Sequence, residues 1–147
     1  MENSMSVTLA LYKARGDWTN ALIRWKGGNS PYSHCEIICD GWMYSSTVRD
    51  GGVRRKPAID LDDTHWDYIE LPWADNNAVY EFYLKTKGFP YGWYDIVWNQ
   101  FFNLPLPDGR GFFCSEWCAN ALGIPDGRKY DPASLGELAK WLTEKLS

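Results

Sequence analysis

A chain of 147 residues with nine Trp and nine Tyr is long enough for one domain with a substantial core, and too aromatic for a disordered or fibrous protein. Its net charge of -4, with no basic cluster larger than Val53 to Lys56, disfavours a nucleic-acid partner, because phosphate binding needs a concentrated basic face. The first residues lack the basic and apolar regions of a secretory signal, and no apolar run approaches the ~20 residues of a membrane span. The expectation is a single cytoplasmic domain over residues 1–147, with no transmembrane segment and with four cysteines kept as thiols.

Along the chain, "VTLALY" (Val7 to Tyr12) reads as a short strand. In "DWTNALIRWKGG", Asp17 is a fair N-cap, Trp18, Leu22 and Trp25 share a face, and Gly27 and Gly28 stop a helix. "HCEIIC" (His34 to Cys39) and "WMYSST" (Trp42 to Thr47) read as a hairpin about a tight Asp40-Gly41 turn. "RDGGVRRK" reads as a further turn, and "HWDYIEL" (His65 to Leu71) as another strand. The pattern then becomes helical. Asp75 caps a segment with Val79, Phe82, Tyr83 and Thr86 at helical spacing, ended by Gly88. "GWYDIVWNQFF" forms a second, more aromatic helix, "CSEWCANALG" a third, and "SLGELAKWLTEKL" a fourth with Ser134 and Glu137 as a capping box. Strands come mostly first and helices mostly last, which predicts an α+β fold with an antiparallel sheet packed against helices.

Chemistry concentrates at "RGFFCSEWCANALGIP" (Arg110 to Pro125). In a helix beginning near Cys114, that residue lies in the first turn, where unpaired N–H groups and the helix dipole favour a thiolate. Cys118 lies one turn further, on an apolar face where a thiol is inert core. The bland alternative makes both cysteines core. A nucleophilic cysteine needs a base, and there are two histidines. His34 opens a strand whose alternation sets His34, Glu36 and Ile38 on one face and Cys35, Ile37 and Cys39 on the other, core-facing side. Glu36 then stands beside His34, where a carboxylate can orient the imidazole and stabilise its cation. His65 reads as a surface strand residue.

A metal site is disfavoured. Cys35 and Cys39 are four strand residues apart, more than about 12 Å by the strand rise, so they cannot share an ion. "RDGGVRR" lacks the strand–loop–helix context of a phosphate loop. No cofactor is expected.

"YSHCEIICDGWMYSSTVRDGGVRRKPAIDL" resembles the histidine segment of NlpC/P60-type and papain-like cysteine peptidases, in which a His opens a strand, a hairpin follows and a "GV" turn ends the unit. Those families place the cysteine first. Here His34 precedes Cys114, and "FFCSEWCANALG" is the cysteine helix. That order resembles the circularly permuted papain-like amidases of the YiiX/YaeF type, known from bacteria and tailed phages, and "GFPYGWYDI" (Gly88 to Ile96) resembles their "G-x-P-Y-D" stretch. The resemblance spans roughly Tyr32 to Pro132.

It implies a circularly permuted papain-like fold with Cys114 as nucleophile and His34 as base. It also implies a third member at Glu36, or at Ser45 or Ser46 on the second hairpin strand. The implied activity is thiol hydrolysis of an amide or ester through an acyl-enzyme, with the Cys114 backbone N–H stabilising the oxyanion. A peptide, a peptidoglycan stem or an acyl group is the implied substrate. Tyr32, Trp42, Tyr91 and Trp93 either line its cleft or belong to the core. Two other readings stand beside it, a non-catalytic binding or phage structural module and an acyltransferase using the same Cys-His pair. A cell-wall substrate would require release by a phage holin or delivery within a virion.

Overall fold

The computed structural model describes residues 6–13, 32–47, 49–59, 61, 64–91 and 112–146. The helix expected after Asp17 and the aromatic helix over 92–102 lie outside the described residues. Those described form strands β1 (Thr8–Tyr12), β2 (His34–Cys39), β3 (Trp42–Thr47), β4 (Gly52–Pro57) and β5 (Trp66–Glu70). Helices α1 (Asn76–Thr86), α2 (Cys114–Ala121) and α3 (Pro132–Leu146) follow, with a 3-10 turn at Gly127–Lys129. The fold is α+β.

All four strand pairings are antiparallel, in the order β4-β3-β2-β1-β5. The β2–β3 hairpin turns at Asp40 and Gly41, both with positive φ (52° and 77°), the conformation that a two-residue hairpin with right-handed twist requires. Register then fixes the faces. Leu9 pairs with Ile37 and Leu11 with Cys35, so these side chains point together into the core. Trp117 and Cys118 of α2, Val79 of α1, and Leu135 and Ala139 of α3 complete that core, each fully buried. Helix α3 lies so close to β1 that a Cβ on Gly136 would stand 2.7 Å from Leu11 Cδ1.

"GVRRKP" is a strand where a turn was expected. Its charged residues carry no apolar alternation, and pairing with β3 from Trp42–Pro57 to Thr47–Gly52 is what makes it extended. Edge strands tolerate such composition, and charge with a terminal proline blocks further pairing. Gly52 is indispensable to it. Its φ is +140°, and a Cβ there would lie 2.0 Å from Phe89 O, where the chain returns after α1. Val53 N–H donates to Phe89 O (2.9 Å) and Gly88 N–H to Val53 O (3.1 Å), tying β4 to the end of α1.

Helix α3 starts two residues earlier than expected, and its cap differs. Asp131 Oδ1 accepts from Ser134 N–H (2.7 Å) while Ser134 Oγ accepts from Asp131 N–H (3.0 Å). Pro132, which has no N–H to leave unpaired, takes the first helical position. Ser134 is therefore the third residue of the box instead of its cap. None of the helices described is long and apolar enough to cross a membrane.

Candidate active site

Cys114 is the first residue of α2 and is 1 % exposed. Helix α2 packs on β2 and β3 because its inner face is apolar. Trp117 stacks near Tyr44 (6.2 Å between ring centroids) and donates its Nε1–H to Thr86 Oγ1 at 2.9 Å. The helix start is fixed from both sides. Ser46 Oγ donates to Phe112 O (2.7 Å), Ser115 Oγ donates to Tyr130 O (2.7 Å), and Glu116 accepts from Phe113 N–H (3.3 Å) and from Arg128 Nε (3.0 Å). Cys114 belongs to the first turn, whose backbone N–H groups have no acceptor within the helix itself.

The structure brings His34, Glu36 and Cys114 together. Glu36 Oε2 lies 2.5 Å from His34 Nε2, and the imidazole also interacts with Cys114. Ser45 and Ser46, the other positions considered beside His34, are used elsewhere: Ser45 Oγ donates to Cys35 O at 2.7 Å, and Ser46 holds Phe112.

Glu36 is 1 % exposed, and a carboxylate so buried needs compensation. Arg54 of β4 supplies it through a two-pronged contact, NH1 to Oε1 at 2.7 Å and NH2 to Oε2 at 2.5 Å. Arg54 is anchored in turn by Asp50 (Nε to Oδ2, 2.8 Å), and Asp50 by Thr47 Oγ1 (2.9 Å). A chain of contacts thus runs Cys114–His34–Glu36–Arg54–Asp50. Nothing in the sequence pattern pairs Arg54 with Glu36. Cross-strand register would have found it, had β4 been recognised.

The electrostatics follow from these neighbours. Burial opposes charge on His34, but the negative Cys114 and Glu36 outweigh it and lift its pKa to about 10. Burial likewise works against the Glu36 carboxylate, yet the His34 charge and the Arg54 hydrogen bonds keep its pKa below the ordinary value. A hydrogen bond from the Cys35 thiol is foremost in favouring the Cys114 thiolate; burial opposes it, and the His34 charge adds to it. The net effect places Cys114 well below a free thiol. These neighbours favour the thiolate–imidazolium form of the pair over two neutral groups.

Tyr91 adds a feature that its sequence position alone did not distinguish from core packing. It bridges Phe112 and meets Phe113 edge-on (5.7 Å), so it stands against the residues preceding Cys114. Its hydroxyl is buried without a hydrogen-bond partner, the only such side-chain oxygen or nitrogen among the described residues. Burial, then the Cys114 and Cys35 charges, push its pKa well up, so the phenol keeps its proton. Of the other aromatic candidates, Tyr32 donates to Asp67 (2.5 Å) and Trp42 lies under the Arg55 guanidinium (4.1 Å), while Trp93 falls outside the described residues. His65 is exposed.

Comparison of the chain with family models, with curated proteins and with solved structures finds no match.

Proposed function

We propose that this protein is a thiol hydrolase with a circularly permuted papain-like fold, cleaving an amide or ester in a peptide, a peptidoglycan stem or an acyl conjugate. One observation carries the reading: a cysteine at a helix start interacts with a histidine whose Nε2 is held by a buried carboxylate. A buried charge series of this kind is costly as mere scaffolding, because well-packed apolar side chains give equal or greater stability.

In the reaction, the Cys114 sulfur attacks the carbonyl carbon and the electron pair moves to the carbonyl oxygen. The Cys114 backbone N–H donates to that oxyanion, and the otherwise unpartnered Tyr91 hydroxyl supplies a second donor. Collapse expels the leaving amine or alcohol, which takes the proton from His34. The neutral imidazole next draws a proton from water, whose oxygen attacks the thioester. Breakdown releases the acid and restores the ion pair. Glu36, fixed by Arg54, orients the ring throughout and stabilises its cation.

The test is turnover on a panel of p-nitrophenyl acyl esters and peptide amides, with mass detection of an acyl adduct. The expected result is an adduct on Cys114 that water discharges, absent in Cys114→Ala and slowed at least about 100-fold in His34→Ala. Equal rates in wild type and Cys114→Ala would overturn the reading.

A further inference from the structure

Cys35 is a buried thiol that the hydrolytic reaction leaves unused. It follows His34 on β2, is 0 % exposed, and its thiol interacts with those of both Cys114 and Cys118. Cys118 Sγ also lies 3.8 Å from Cys35 O. Cys35 thus stands beside two further thiols where α2 crosses β2, none of them in a disulfide. Among the described residues no group of three or more His, Cys, Asp or Glu is arranged to hold a metal ion.

We propose that Cys114 and Cys35 form a peroxide-responsive dithiol, in which hydrogen peroxide or a small alkyl hydroperoxide closes a Cys35–Cys114 disulfide that reversibly shuts the site. The inference rests on the reading of Cys114 as a thiolate, but not on its cleaving amides. The thiolate attacks one peroxide oxygen, the O–O bond breaks, and the departing oxygen takes the His34 proton and leaves as water (or as the alcohol). Cys114 is then a sulfenic acid. Cys35 sulfur attacks the Cys114 sulfur, the S–O bond breaks, and the hydroxide leaves with the Cys35 proton as a second water. Two sulfurs have given up one electron each, and the peroxide has been reduced by two.

Cys35 is the resolving partner on geometry. Its thiol interacts with that of Cys114 from another element. Cys118 sits one turn along the same helix, where side chains four apart stand above one another and their Cβ bonds run parallel instead of converging. Cys39 is four strand residues beyond Cys35, out of reach.

The experiment treats the full chain with hydrogen peroxide and locates disulfides by tandem mass spectrometry without reduction. It is repeated in Cys39→Ala/Cys118→Ala, which retains only the two proposed partners. The expected result is loss of two hydrogens per chain and a Cys35–Cys114 link. Iodoacetamide labelling of Cys114 should vanish with peroxide and return with dithiothreitol. In Cys35→Ala, Cys114 should instead pass to sulfinic acid and fail to recover. Sulfinic Cys114 beside a free Cys35 in the wild-type chain, or a Cys114–Cys118 link, overturns the proposal. Fast Cys114 alkylation without a disulfide rejects this inference and leaves the hydrolase reading standing. A Cys35–Cys114 disulfide in a protein that cleaves none of the ester and amide panel does the reverse.

Discussion

Glu36 shows how one residue can be legible in role and hidden in circumstance. Strand alternation put it beside His34, and there it is. A solvated carboxylate and a buried one read alike in a strand of six residues, so nothing in "HCEIIC" announced that it would be 1 % exposed. Its compensating Arg54 lies 18 residues on, within a stretch whose turn-like glycines masked a strand. Removing the negative charge while keeping the shape takes from Arg54 one of its two Glu36 oxygens and leaves His34 without its orienting anion. Glu36→Gln should therefore lose about 3 kcal/mol of stability in urea unfolding, in the range for breaking a buried ion pair. The same variant should lower the His34 pKa and shift the onset of Cys114 labelling to higher pH. Unchanged urea midpoints would show that the pair is dispensable.

At the scale of elements, the hairpin, α1 and the helix starting at Cys114 were readable because each has strong local signals: Asp-Gly, an Asp cap with a glycine stop, and an apolar face. Strand β4 was not, because its conformation is imposed by neighbours. Gly52 makes that dependence testable. Alanine there needs both a φ of +140° and the space held by Phe89 O. Gly52→Ala should cost more than about 2 kcal/mol and loosen β4, and with it Arg54. By contrast, Asp131→Ala removes only an α3 cap and should cost about 1 kcal/mol. Equal, small losses in the two variants would contradict the placement of β4 against the end of α1.

For the whole molecule, strands early and helices late gave the α+β class, and register supplied the rest by setting Cys35 against α2. The buried charges then shape stability against pH. The unfolded chain titrates His34 near 6.5 and Cys114 near 9.0; the folded chain holds the His34 proton up to about 10 and has lost that of Cys114 well below 9.0. The His34 contribution is complete below 6.5 and is lost as pH rises through about 10, whereas the Cys114 contribution is complete above 9.0 and is lost as pH falls toward its lowered folded value, so the two oppose each other between. Above 9 the unfolded chain sheds protons that folded His34 and Cys35 retain, and stability falls. Glu36, with its folded pKa lowered, contributes fully above its unfolded value of 4.5 and loses that contribution as pH falls further. Urea midpoints from pH 4 to 10 should fall at both ends of that range. A steady climb through pH 9 would contradict it.

The ion pair between Cys114 and His34 is the claim on which the rest depends, and the pH dependence of Cys114 alkylation by iodoacetamide measures it directly. The account predicts selective labelling of Cys114, half-maximal well below the ordinary thiol value of 9.0, and a rise toward that value in His34→Ala. Uniform slow labelling of all four cysteines, or a Cys114 profile that His34→Ala leaves unchanged, would contradict it.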